Sequence, residues 1–354
     1  MTDPAKKKKK LIDKVIDHAR EHLPANEAVQ AETFIRSYYL RVAPEDLLDH
    51  DHLNLYGAAI SHWHLCMRRG PGERLVRAYN PHMEAHGWHT THTIVEVVRE
   101  DIPFLVDSVR MLLNRHGLTV HLIIHPVMRL KRDGQGRLLE VLPEDAADPD
   151  AIPESVMHFE VDRQSAETLQ DLEAELHEVL EDVEMAVADW QPMQEQLQEV
   201  IGKLRRDRPP VDTEDFDEDL AFLEWVTRDH FTFLGYREYR LEEDDGEDVL
   251  RLVPDSGLGI LRSDERGAVS QSFGRLPPEV RRLAHNPDLL ILTKSNSVAT
   301  VHRPAYMDYI GIKQVDADGR VRGEWRFLGL YTSAAYNRSP QEIPLLRRKV
   351  RQVL

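Results

Sequence analysis

A chain of 354 residues with 41% hydrophobic and 30% charged residues has material for two or three cores, since a single core rarely grows past about 250–300 residues. No apolar run reaches the roughly 20 residues of a membrane helix, and the lysines Lys6 to Lys10 are not followed by the apolar stretch of a secretory leader, so neither a membrane nor export is expected. A net charge of −17 argues against a nucleic-acid partner, and the single cysteine, Cys66, rules out an internal disulfide framework and fits a reducing cytoplasm.

Residues 6–69 read as helical. The first helix puts Leu11, Val15, Ile16 and His18-Ala19 in one stripe. Asn26 is placed to cap the second, with Glu27 and Glu32 near its positive end. Pro44 opens a third. The run NLYGAAISHWHLCMRR then stops at Gly70-Pro71-Gly72, with Cys66 as a buried thiol. RLVRAYN (74–80) alternates as a strand, and THTIVEVVRE is a strand buried on both sides. A helix with its entry turn spans Asp101–Gly117, where Asp101 or Asp107 can accept from free N–H groups and Gly117 suits the left-handed position past the end. TVHLIIHPVMRLKR is a strand, Asp133-Gly134-Gln135-Gly136 a hairpin turn, RLLEVL the returning strand and 143–153 a loop. ESVMHFEVDR is a strand, and a long amphipathic helix follows with Ser165 as its cap. This is most of the β-α-β-β-α-β order of a ferredoxin-like domain, with a last strand looked for near Met185–Asp189.

The helical pattern continues to Arg206, and Arg208-Pro209-Pro210 reads as a linker. Beyond it come a helix (DEDLAFLEWVTRDH), two strands (FTFLGYREYRL, VLRLV) and a loop with Gly257, Gly259, Gly267 and Gly274. A short helix is expected at Pro277-Pro278, then three antiparallel strands with an Asp318-Gly319 turn before the last. Residues 340–354 begin another helix with no chain left to pack on it, which suggests a fragment of a longer protein. The expected class is α+β, divided as a helical segment (1–72), a ferredoxin-like domain with a trailing helix (73–207), a β-rich module (212–337) and the start of a following domain (338–354).

Motifs for chemistry are sparse. Gly257-Leu258-Gly259 lacks the third glycine and the βαβ unit of a dinucleotide fingerprint, and no Walker A loop or G-x-S-x-G elbow is present. One cysteine cannot build a thiolate zinc site. His62 and His64 fall on different helix faces, and His86, His89 and His92 recur at spacing three. His121 and His125 share a strand face and are weak metal candidates, the bland alternative being packing. The turn after Glu100 leaves helix-end N–H groups that either Asp101 or Asp107, or the carboxylate of a ligand, could satisfy. A second polar group, Arg303, Tyr306, Asp308, Tyr309, Lys313 and Arg326, could form ion pairs on a sheet face, a subunit contact or a polar pocket.

The stretch EDIPFLVDSVRMLLNRHG resembles the first strand–helix turn of ACT-type regulatory domains. With TVHRPAYMDYIGIK and RFLGLYTSAAYNRSPQEIPLLRRKV it resembles, from about residue 30 onward, the N-terminal region of the large bacterial NAD-specific glutamate dehydrogenases, a string of ACT-like and PAS-like modules ahead of the catalytic core. The resemblance implies that the full-length protein oxidises L-glutamate to 2-oxoglutarate and ammonia with NAD, while this region holds no catalytic residue and no cofactor. It implies regulation and homo-oligomer assembly in the cytoplasm, coupled to a downstream catalytic domain. The effector, an amino acid, would sit at Asp101, Ile102, Pro103, Phe104, Leu105, Asp107 and Ser108. Family domains usually carry glycine where Phe104 stands, so either the turn binds the effector or the ring fills the pocket. The alternatives are a free-standing amino-acid sensor of ACT type and a metal-dependent hydrolase built on the histidines.

Overall fold

The computed structural model describes residues 3–143, 146, 148–244, 247–263 and 288–353. Gly267, Gly274 and the helix expected at Pro277-Pro278 lie outside the described residues. The chain divides into two compact units, Met1–Glu181 and Asp182–Leu354.

The first unit opens with four helices, α1 (Pro4–His22), α2 (Ala25–Tyr39), α3 (Pro44–Leu48) and α4 (His52–Cys66). Asp3 and Asp51 cap α1 and α4 through side-chain oxygens, and Pro44 stands in the first turn of α3. The cap of α2 is Pro24 rather than Asn26, which lies inside the first turn. A proline locks its own φ near the value needed to enter a helix and leaves no role for the asparagine side chain. Strands β1 (Leu75–Tyr79) and β2 (Thr93–Glu100) flank a short helix α5 (Met83–His86). Next come helix α6 (Leu105–Arg115) and strands β3 (Val120–Ile124), β4 (Val127–Arg132), β5 (Leu138–Leu142) and β6 (Ala151–Val161), then helix α7 (Ala166–Ala188).

The six strands make one antiparallel sheet in the order β1-β2-β6-β4-β5, with β3 also on β6. Strands β3 and β4 lie end to end along β6, one pairing with residues 158–161 and the other with 151–155. Strand β6 therefore starts before the expected loop ends. Pro153 is tolerated there, one residue beyond the last β2 pair, Glu100↔Glu154. In a βαββαβ fold the last strand pairs beside the first. Here that place beside β2 is filled by β1, which precedes it in the chain, so the order, leaving out the short α5, runs β-β-α-β-β-β-β-α. No strand forms at Met185–Asp189, because α7 runs on to Ala188 with Val179, Leu180, Val183 and Ala186 buried at helical spacing.

Alternation gives the sheet two buried faces. Val98, Leu122, Ile124, Met128, Leu130 and Val156 share a core with Ile16, Phe34, Ile35, Trp63 and other residues of α1 to α4. The segment read as a separate helical entry thus covers one face of the sheet. Val95, Val97, Met157, Phe159 and Val161, all fully buried, point to the other face, toward α6 and α7, which Arg115 and Glu175 tie together at 2.6 Å.

The second unit holds helices α8 (Trp190–Arg206) and α9 (Thr213–Trp225), capped by Asp212, and a π-helical turn Val226–His230. Its sheet contains β7 (Phe231–Asp244), β8 (Glu247–Leu252), β9 (Leu258–Gly259), β10 (Leu290–Val298), β11 (Tyr306–Val315) and β12 (Val321–Tyr331), in the order β10-β11-β12-β7-β8 with β9 on β7, antiparallel throughout. Phe233, Tyr236, Ile310, Ile312 and Phe327 on one face form a core with Met193, Leu197, Phe216 and Leu223 of α8 and α9. Short helices α10 (Ser333–Tyr336) and α11 (Leu346–Val353) close the described chain. No helix among the described residues is long and apolar enough to cross a membrane.

Candidate functional site

The turn after β2 is built by backbone. Asp101 N donates to Pro153 O at 2.9 Å, and Phe104, with φ of 72°, enters α6 in the left-handed conformation that favours glycine. Phe104 is half-buried and Leu105 and Ser108 are buried, while Asp101, Pro103 and Asp107 face solvent. Asp107 is bonded to Arg110 at 3.2 Å. The acidic residues do not cap the helix here, whereas Gly117 takes the expected left-handed position at φ 71°.

A polar row on the opposite side of β2 was missed by the sequence reading. Arg77, Glu96 and His158 stand directly opposite one another on β1, β2 and β6, facing α2 and α4. Glu96, fully buried, receives Arg77 Nε at 3.0 Å on one oxygen; its other oxygen meets His158 Nδ1 at 3.3 Å and the Tyr79 hydroxyl at 3.3 Å. His62 from α4 approaches to 4.0 Å and bonds the Tyr38 hydroxyl at 3.0 Å. Two residues along β6, Glu160 bonds His92 at 3.1 Å and lies 3.7 Å from His158 Nε2. His92 stacks on His121, whose Nε2 meets Asp162 at 2.8 Å.

Burial and neighbours divide the charges. Burial alone would raise the Glu96 carboxyl, but His62, His158 and Arg77 bring it down to about 2. Burial would lower the His158 imidazole, and Glu160 and Glu96 reverse this, raising it to about 9. Burial takes His62 down to about 4 against the pull of Glu96. At neutral pH the row therefore holds ionised Glu96, protonated His158 and neutral His62. Ligand atoms of His62, Glu96 and His158 lie within 4.8 Å of one another, as do those of His18, Glu21 and His22 on α1. In the buried group Arg77 already occupies the second Glu96 oxygen, leaving no surplus negative charge for a cation.

Beside the row lies a cavity of about 270 Å³. Its floor is His158, Glu160, Tyr39, Leu122 and Ile124, all buried; its rim is His50, Asn54, His89, Thr91 and His92, all at least partly exposed. A second ionic centre, not in the cavity, joins Glu154 to Arg132 at 2.6 and 2.8 Å and to Arg69 at 3.0 Å, fastening the chain after α4 to the sheet.

In the second unit the predicted polar group separates into two. Tyr309, Lys313 and Arg326 lie buried on the sheet face away from α8 and α9, with Glu324. Arg326 Nε donates to the Tyr309 hydroxyl at 3.0 Å and to Glu324 at 3.1 Å, and its guanidinium lies 4.0 Å over the Tyr239 ring. Burial and Glu324 push the Tyr309 hydroxyl well up, and burial lowers Lys313. Asp308 points to the opposite face, pairing with Lys294 at 2.6 Å; Arg303 donates to Tyr331 O at 2.6 Å, and Tyr306 is exposed. His121 lies on β3 and pairs with Asp162 at 2.8 Å, and His125 follows the end of β3 at Ile124.

Comparison with known proteins fits this architecture. Residues 34–176 match the family model of the glutamate dehydrogenase ACT1 domain. The NAD-specific glutamate dehydrogenase of Halomonas elongata is 41% identical over 346 residues, 97% of this chain and 22% of that protein. Its counterpart in Pseudomonas aeruginosa is 38% identical over 338 residues, 94% of this chain and 21% of that protein. This chain is homologous to the N-terminal part of NAD-specific glutamate dehydrogenases. The enzyme of Mycobacterium tuberculosis aligns over 302 residues at 29% identity, 83% of this chain and 17% of that protein. The chain thus spans about a fifth of the length of the curated relatives it matches.

The matched glutamate dehydrogenase ACT1 segment begins inside α2. It therefore takes in the helices that cover the polar row as well as the sheet that carries it. One signal for the row was present in the sequence: Glu96, His158 and Glu160 are ionisable residues set inside otherwise apolar strands. His50, in the link between α3 and α4, and Asn54 and His62, on α4, come from a segment distant in sequence from these strands, and nothing in the sequence joined them to the row.

Proposed function

We propose that this chain is a non-catalytic regulatory and assembly region of an NAD-specific glutamate dehydrogenase whose complete form converts L-glutamate and NAD to 2-oxoglutarate, ammonia and NADH in the cytoplasm. The observation that carries this reading is the alignment of 97% of the chain with 22% of one such enzyme. The architecture supports it. Open α/β sheets bind dinucleotides at the carboxyl ends of parallel strands, and the strand pairings described here are antiparallel. The first unit then acts as an ACT-type module with its effector turn at Asp101–Ser108. The second acts as a PAS-like module, and homo-oligomer formation brings the catalytic domains under their joint control.

The test is direct. The purified chain should give no glutamate-dependent reduction of NAD, and sedimentation should find it self-associated. In the complete enzyme, deleting these residues should leave turnover measurable while changing its assembly or its response to amino acids. Turnover by the chain alone, or a deletion that changes neither assembly nor response, would overturn the reading.

A further inference from the structure

We propose that His18, Glu21 and His22 of α1, with His52 of α4, bind a divalent transition-metal ion of the zinc, nickel or copper kind and clip the first helix to the fourth. The proposal goes beyond the regulatory reading and does not rest on it.

The sequence supplies the ligands. His18-Ala19-Arg20-Glu21-His22 is an H-x-x-E-H run near the end of α1. Residues three and four apart share a helix face, so both imidazoles and the carboxylate project together, as the same residue types do on the zinc-binding helices of metallohydrolases. One ligand atom from each of the three lies within 4.8 Å of the others. Ligands held about 2.0–2.2 Å from a tetrahedral zinc ion stand roughly 3.4 Å apart, a short closing movement for surface side chains. Glu21 and His22 are exposed, and His18 and His52 are partly so, so an ion reaches them from solvent.

The hydrogen bonds behind these side chains orient them for a metal. His22 Nδ1 donates to His18 O at 2.9 Å; a carbonyl can only accept, so Nδ1 carries the proton and Nε2 keeps its lone pair. His52 Nδ1 donates to Asp51 Oδ1 at 3.1 Å, and Asp51 Oδ2 is itself fixed by the N–H of Leu53 at the start of α4. Metal-bound imidazoles are held in this way, through the other ring nitrogen, by a carbonyl or a carboxylate. The His18 ring stacks on His22 at 4.0 Å between centroids and stands edge-on to His52 at 6.4 Å and to Tyr56 at 4.6 Å. Burial, His22 and His52 hold the His18 imidazole below its ordinary value against the pull of Glu21, which favours the neutral ring that ligates. Arg20, the cation inside the run, is engaged by Glu32 at 2.5 Å and Asp17 at 3.4 Å. Three imidazoles and one carboxylate suit zinc, nickel or copper, whereas magnesium and calcium take oxygen ligands. The ion would join the last turn of α1 to the first turn of α4, two of the helices that share a core with the sheet.

The experiment is titration of the untagged chain with zinc against a chromophoric chelator, followed by hydrogen exchange with and without the metal. A single zinc ion should bind each chain, and an excess of magnesium should not displace it. His22→Ala and His52→Ala, which remove side chains at the surface, should each weaken binding at least about tenfold. Zinc at about ten times its dissociation constant should slow exchange of α1 peptides about tenfold, the ratio by which an ion held only by the closed form favours it. His52→Ala should abolish that slowing, because the ion would then touch α1 alone. Binding weakened in both variants together with slowed exchange supports the proposal. No zinc bound at micromolar concentration, binding unchanged in either variant, displacement by magnesium, or α1 exchange unaffected by zinc overturns it.

Discussion

Glu96→Gln should strike at the centre of the first unit. The substitution keeps the shape of the side chain and removes a carboxylate that is completely buried between Arg77 and His158. Removing one partner of a buried ion pair costs about 3–5 kcal/mol, because the remaining charge keeps its desolvation penalty. The pH dependence gives a second handle. His158 has its pKa raised from 6.5 to about 9, so its stabilising contribution is fully present below pH 6.5 and is lost as pH rises through 9. At 1.36 kcal/mol for each pH unit, that contribution is about 3 kcal/mol, shared between Glu160 and Glu96. The loss caused by Glu96→Gln should therefore be greatest near pH 6 and smaller at pH 9. Hydrogen exchange measured by mass spectrometry on peptides of β2 and β6 reads this directly and avoids assuming that both units unfold together. Exchange should speed up by about two to four orders of magnitude at pH 6, after correction for the intrinsic rate. A change below about tenfold, or one of equal size at pH 9, would refute the charge assignment.

Three further substitutions test the packing. Gly57→Ala would set a Cβ 2.3 Å from Trp88 Cβ, and overpacking of this kind costs about 1–3 kcal/mol; a thermal melt followed by tryptophan fluorescence should show the first unit melting earlier. Gly136 has φ of 78° and would bring a Cβ 2.2 Å from Arg69 O, while a Cβ at Gly134 meets nothing within 4 Å. Gly136→Ala should thus lose at least about 1–2 kcal/mol and Gly134→Ala stay within about 0.5 kcal/mol, as read by urea unfolding; equal effects would contradict the hairpin geometry. In the second unit, Arg326→Lys keeps the charge but gives up the planar group stacked over Tyr239 at 4.0 Å, and should cost about 1–2 kcal/mol by hydrogen exchange of β11 and β12.

Much of the fold was legible because period and punctuation agree. Pro44, Ser165 and Gly117 act at the ends of helices where local chemistry predicts a start or a stop, whereas α9 begins at Thr213 with Asp212 as its cap, ahead of the start read at Asp217, and the Asp133–Gly136 and Asp318–Gly319 turns carry their own hydrogen bonds. The strand order was not legible. The place beside β2 is awarded by three-dimensional pairing, and β1 fills it from an earlier position in the chain. The turn at Asp101–Ser108 could be located, yet the left-handed φ of Phe104 could not, because a non-glycine residue in that region is held by its surroundings and not by its own preference. The second polar group was gathered by closeness in sequence; the two-residue period of β11 then set Asp308 on one face and Tyr309 on the other.

The row Arg77–Glu96–His158 raises the question of why a sheet should carry charge across its core. A slip of one residue would send these three toward Val97, Met157 and the other apolar face, so the row fixes register as strongly as any hydrophobic pattern. Stability alone does not require it, since well-packed apolar replacements of buried ionic groups are often neutral or stabilising by about 1–4 kcal/mol. The triple variant Arg77→Leu, Glu96→Leu, His158→Leu separates the two roles. If the row serves register rather than stability, the triple variant should regain most of the stability that Glu96→Gln loses, by the same exchange measurement. A triple variant as unstable as Glu96→Gln would mean that the charges themselves hold the unit together.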